Sequence, residues 1–182
     1  MAEEFNQRNL LNDTLLKFGS FLDEINLPFI LTCGTLLGYI REGHLLDHDH
    51  DVDVAVWDED ITSNMTAKIM GNQDFNEYTK GEAGSEISLV NKLTEYIHFD
   101  IFTINKKNDK AFFNPREGKC LVWDYDVLDK NKWKKVKFLD REFYIPGKPK
   151  TFLREYYGPT WKIPQNVYTW QTAPNYKLLN EI

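Results

Sequence analysis

The run DHDHDVDVAV (Asp47–Val56) constrains the fold more than any other stretch, because from Asp51 it alternates acid with valine or alanine. A period of two marks a β-strand, whose successive side chains point to opposite faces. Asp51 and Asp53 then share one face, while Val52, Val54 and Val56 share the other and enter the core. Asp49 has the same parity, if the strand reaches that far back. Close carboxylates repel unless a cation neutralises them. Mg²⁺ or Mn²⁺ takes hard oxygen donors of this kind together with phosphates and water.

Three competing readings of the run have less support. A solvated acidic loop does not account for the alternation with valine. An EF-hand loop needs glycine at its sixth position, where Val52 or Val54 stands, according to frame. A metal site built on His44, His48 and His50 lacks a distant motif to complete it.

A third acid comes from further along. Asp100 interrupts the apolar stretch YIHFDIFTI (Tyr96–Ile104), where an unpaired buried charge would be costly. If this strand lies beside Asp51–Val56, Asp100 meets the other two acids across a metal ion. Around these strands the pattern predicts a helix over residues 4–25, a buried strand at Phe29–Cys33 and a short helix at Leu36–Arg41. It further predicts a helix at Asp58–Met70, a strand at Glu86–Leu93 and a charged turn at Asn105–Lys110. Strands are expected near Lys119–Trp123, Val136–Leu139 and Glu142–Ile145, and a closing helix at Pro149–Tyr157 stopped by Gly158-Pro159. The tail beyond has scattered aromatics and no period. One α+β domain over residues 1–182 is expected.

Composition narrows the partners. A net charge of −6 without a long basic block gives no strong nucleic-acid signal. The local basic stretch Lys130–Lys137 (KNKWKKVK) reads as a solvated hairpin. Cys33 and Cys120 form no disulfide framework and no zinc spacing, no stretch approaches the length of a membrane span, and the first residues carry no secretory pattern. A reducing, cytoplasmic setting is expected.

Thr32–Val56 (TCGTLLGYIREGHLLDHDHDVDVAV) resembles the signature of the LicD and fukutin-related family of phosphotransferases. The family's Gly-Thr-Leu-Leu-Gly, Arg, Gly and Asp-x-Asp-x-Asp elements fall on Gly34–Gly38, Arg41, Gly43, Asp49, Asp51 and Asp53. His98–Ile104 looks like the family's third-acid strand and places Asp100; Phe152–Pro164 (FLREYYGPTWKIP) is similar to its closing element. Asp47-His48 stands where members commonly carry Pro-Trp, beside the substrate pocket.

The resemblance implies a nucleotidyltransferase-like fold, a mixed β-sheet flanked by helices. It also implies metal-assisted transfer of a phosphorylated group from a nucleotide-activated donor. Known members move phosphocholine or ribitol phosphate from a CDP-linked donor to a glycan hydroxyl. In this chain Asp51, Asp53 and Asp100 are the expected catalytic and metal-binding acids, with Asp49 as a further ligand and Mg²⁺ (or Mn²⁺) as cofactor. Gly34 and Thr35, between strand and helix, are expected to cradle a phosphate. Arg41 is either a phosphate clamp or a surface partner of Glu42 or Asp47. The same acids also suit a true nucleotidyltransferase, which places a nucleoside monophosphate on a protein, RNA or small molecule. A degenerate, non-catalytic nucleotide-binding module is the remaining alternative.

Overall fold

Leu11, Leu15, Phe18 and Leu22 recur at three- and four-residue spacing and are fully buried, which sets helix α1 (Ala2–Glu24) against one face of the core. The computed structural model describes residues 2–80, 86–92, 96–116, 118–165 and 168–182, without the side chains of 2–6, 77–80 and 114–116. After α1 the chain turns through Asn26 at φ 57°, a left-handed conformation that asparagine tolerates.

Strand β1 (Ile30–Leu31), helix α2 (Cys33–Arg41) and strand β2 (Asp51–Trp57) follow, then a 3₁₀ turn (Asp58–Asp60) and helix α3 (Ser63–Met70). Strands β3 (Phe75–Lys80), β4 (Glu86–Asn91), β5 (His98–Lys107), β6 (Lys110–Arg116) and β7 (Lys119–Asp124) lead to helix α4 (Tyr125–Leu128). The hairpin β8 (Lys134–Phe138) and β9 (Arg141–Ile145), helix α5 (Pro149–Tyr157) and strand β10 (Tyr176–Leu178) complete the order.

Among the described residues eight strands form one mixed sheet, ordered β1-β2-β5-β6-β7-β10, with β4 joined to β5 and β3 to β4. β2 and β5 run parallel, whereas β1–β2, β4–β5 and β5–β6 are antiparallel. Since β2 occupies one edge of β5 from His98 to Ile104, β4 and β6 divide the other edge between them. The parallel register sets Asp51 opposite His98 and Asp53 opposite Asp100, so the adjacency required above is present.

The reverse faces of these strands are apolar. Val52, Val54, Val56 and Phe99 are fully buried, and the Phe99 ring lies 4.0 Å from that of Phe18 on α1. Across the sheet, Trp123 of β7 stacks on Phe152 of α5 at 4.5 Å. The α+β expectation is met, with a mixed sheet flanked by helices.

Several boundaries differ from the pattern reading. The expected helix at Asp58–Met70 is split, because Thr62 caps a new start and its hydroxyl accepts from the Met65 N–H at 3.3 Å. The expected turn at Asn105–Lys110 shrinks to Asn108-Asp109, with Asn108 at φ 57°, so β5 and β6 extend into a tight hairpin. Helix α2 starts at Cys33 rather than Leu36, and only Ile30 and Leu31 of Phe29–Cys33 are in a strand. The strand expected at Glu86–Leu93 ends at Asn91; Leu93 lies outside the described residues. The basic stretch does form part of a hairpin, with Lys134, Lys135 and Lys137 exposed. No helix among the described residues is long and apolar enough to cross a membrane.

Candidate active site

The acids are brought together by register. In a parallel pair, residues opposite one another project to the same side, so Asp53 and Asp100 face one cleft and Asp51 joins them from two residues back. One carboxylate oxygen from each of Asp51, Asp53 and Asp100 lies within 4.8 Å of the others. Ser88 of β4, opposite Asp100, donates its hydroxyl to the Asp100 carboxylate and fixes it from the far side.

Asp53 is the best held of the three and is 6% exposed. Its carboxylate accepts the Gly34 N–H at 2.7 Å, its own N–H donates to the Thr35 hydroxyl at 2.8 Å, and its carbonyl accepts the Thr32 N–H at 3.2 Å. The N-terminus of α2 is thus already occupied by a carboxyl group, that of Asp53. Gly34 and Thr35, expected to cradle a phosphate, hold this acid in place. Cys33, which starts the helix, has φ 40°, a strained value for a residue with a side chain.

Asp49 lies just before β2. A Cβ built on Gly34 would stand 2.5 Å from the Asp49 carboxylate and 3.1 Å from that of Asp53, so glycine is needed for the acids to approach this closely. Crowding of negative charge in a buried place favours the protonated forms. Burial, then repulsion from Asp51, raises Asp49 to about 9, and burial pushes Asp100 up to about 7. Burial and its acidic neighbours also raise Asp53 well above the usual carboxylate range.

This has a measurable consequence. A raised folded-state pKa contributes stability at low pH, which is lost as pH climbs from the unfolded value near 4 through the folded one. The melting temperature in EDTA is therefore expected to fall between about pH 6 and about pH 8. Added Mg²⁺ should restore it, by more at the higher pH, because a cation displaces the same protons. Melting curves with and without Mg²⁺ at the two pH values check this; a metal effect independent of pH would contradict it.

The acids open onto a cavity of about 950 Å³. Glu86 of β4, opposite Phe102 of β5, also lines it, together with Leu121, Tyr157 and Trp170. Arg41 lines it too, with Nε on Glu42 at 2.6 Å and Nη1 donating to the Trp161 carbonyl at 3.3 Å. Asp47, the other partner considered for Arg41, pairs with Arg8 instead.

The histidines do not gather. His48 lines the cavity, the ring of His44 meets the Leu45 carbonyl at 2.8 Å, and His50 faces Gln7 and Tyr96. The described residues that can jointly hold a metal are the three aspartates.

The sequence pattern assigned no site role to Glu86 or to the aromatic wall of this cavity. Tyr156, Tyr157, Trp161, Tyr168 and Trp170 contribute rings to it, with Tyr157 and Tyr168 only 4.5 Å apart. Their clustering was the available signal, but without a period it does not say which way the rings face.

A mixed sheet bearing two acids on one strand and a third on its parallel neighbour, beneath the N-terminus of a helix, defines a nucleotidyltransferase fold. The structure of the lincosamide antibiotic adenylyltransferase LnuA, bound to lincomycin, shares it: TM-score 0.53, 18% identity, covering 76% of this chain and 82% of that one. More particularly, the family described as LicD/FKTN/FKRP, nucleotidyltransferase domain, matches residues 26–148, and this chain belongs to it.

Ribitol-5-phosphate transferase FKTN of Homo sapiens is 25% identical over 158 residues, 84% of this chain and 33% of its own length. The Macaca fascicularis protein gives the same figures. An uncharacterised Caenorhabditis elegans protein is 23% identical over 185 residues, 96% of this chain and 49% of that one. The chain thus spans about a third of the length of the FKTN proteins.

Proposed function

We propose that residues 1–182 form one catalytic domain that transfers a phosphorylated group from a CDP-type donor to a hydroxyl on a glycan or small molecule. The transferred group is of the phosphocholine or polyol-phosphate kind. The observation that carries this reading is the convergence of Asp51, Asp53 and Asp100 at the floor of a large cavity, within a LicD/FKTN/FKRP domain. Three hard oxygen donors close together, two of them pushed by burial toward their neutral forms (Asp53 and Asp100), suit Mg²⁺ or Mn²⁺.

A bound divalent ion supplies charge neutralisation on the donor diphosphate and favours in-line displacement. The protein's own part is to hold the three carboxylates rigid, through Gly34 and Thr35 on Asp53 and Ser88 on Asp100. One of these three acids, or Asp49, in its ionised form accepts the proton of the attacking hydroxyl. The hydroxyl oxygen forms its bond to the donor's distal phosphorus as the bond to the nucleotide phosphate breaks, and CMP leaves. Arg41 turns its remaining N–H groups toward phosphate oxygens. The aromatic wall shields the reacting centre from water.

The test uses CDP-ribitol and CDP-choline labelled separately in the nucleotide and in the transferred half, with Mg²⁺ and a hydroxyl acceptor. The transferred half is expected on the acceptor, with labelled CMP released. A nucleoside monophosphate moved from a triphosphate to the acceptor, with release of pyrophosphate, would identify a true nucleotidyltransferase instead. Absence of any metal-dependent nucleotide stabilisation would identify a non-catalytic module.

A further inference from the structure

The apolar stripe of α1 runs through Leu22, Phe18, Leu15 and Leu11, yet the next turn toward the N-terminus carries Gln7 and Arg8. At that turn the helix meets residues 47–50, which lie outside any helix or strand and lead straight into the acidic strand. Gln7 Nε2 donates to the Asp49 carbonyl and contacts His50 Nδ1 at 3.0 Å. A carbonyl only accepts, so it fixes the amide nitrogen on this side, and His50 Nδ1 then takes the second N–H. Arg8 grips the Asp47 carboxylate through both Nε and Nη2.

Two adjacent residues of one helix turn therefore hold Asp47, Asp49 and His50, immediately before Asp51. A helix end that was merely solvated would leave both side chains in water. The family match begins at residue 26, so these contacts come from a part of the chain outside it.

We infer that Gln7 and Arg8 are positioning residues for the metal centre, clamping the loop that sets where Asp49 and Asp51 enter the cleft. This rests on the metal reading proposed above. Partners that orient ligands without touching the metal typically change metal affinity or activity by about 10- to 100-fold.

The test measures Mn²⁺ binding to the full chain by the loss of free-ion electron paramagnetic resonance signal, for wild type, Gln7→Glu, Arg8→Ala and Asp47→Ala. Gln7→Glu keeps the shape but sets an acceptor against the Asp49 carbonyl. It is expected to weaken Mn²⁺ binding by about tenfold. Arg8→Ala and Asp47→Ala should each weaken it, and a variant carrying both substitutions, measured alongside, should be no worse than either alone.

Melting temperatures in EDTA should stay near wild type, since the buried stripe continues to anchor α1. Binding within about twofold of wild type in all variants would overturn the clamp and leave the metal reading standing. Weakened binding that accompanies a fallen melting temperature in EDTA would also overturn it, in favour of simple undocking of α1. Wild-type protein that binds no Mn²⁺ would overturn both.

Discussion

Asp53→Asn is expected to lower turnover about a thousandfold or more while raising the melting temperature of the metal-free protein. Asparagine matches aspartate in size. Its side-chain oxygen can still accept the Gly34 N–H, and the bond from the residue 53 N–H to the Thr35 hydroxyl does not involve the changed atoms. The fold is therefore retained. What disappears is a carboxyl that burial, and then Asp51, Asp49 and Asp100, make costly to ionise, so the protein without metal becomes more stable. Loss of activity together with a gain in stability separates removal of a metal ligand from ordinary damage to the core, which lowers both. The labelled-donor assay and a melting curve in EDTA check the two halves; retained turnover would contradict the assignment.

Gly34→Ala is the second large effect. Its Cβ would lie 2.5 Å from the Asp49 carboxylate and 3.1 Å from that of Asp53, closer than side chains tolerate. The obstructing atoms are side-chain ends, so the carboxylates move and the backbone stays. Divalent-ion affinity and turnover are expected to fall by about 10- to 100-fold, with a small change in melting temperature. Gly38, four residues later on the same helix, gives the contrast. A Cβ there would stand 2.6 Å from the His44 carbonyl and 3.2 Å from the Leu45 Cα, and backbone yields less readily. Gly38→Ala should cost about 1–3 kcal/mol of stability. Equal melting curves for the two variants, or unchanged metal binding in Gly34→Ala, would contradict this division of roles.

The part of this site that could be read from the sequence follows from local periodicity. Asp51 and Asp53 declare themselves because a strand's alternation fixes which side chains share a face. Asp100 is conspicuous as an acid in an apolar strand, but its register against Asp53 is a tertiary fact that no local pattern contains. The same limit hid the use of Gly34 and Thr35. Their position before a helix suggests an anion site, and only the fold shows that Asp53 fills it.

Strands β3, β6 and β10 went unread for a different reason. β3 is largely polar, β6 contains Pro115 and β10 has only three residues, so none carries a strong alternation. The aromatic wall is built by contacts between the tail and α5, such as the Tyr168 hydroxyl donating to the Tyr156 carbonyl at 3.0 Å. Chain segments without a period are placed by such contacts alone.

The central claim is that Asp51, Asp53 and Asp100 share a divalent cation, and anomalous diffraction from Mn²⁺-soaked crystals tests it most directly. A manganese peak is expected between these three carboxylates in the wild type and is expected to vanish in Asp53→Asn. A peak centred on His48 or His50, or no peak at the aspartates at saturating Mn²⁺, would contradict the account.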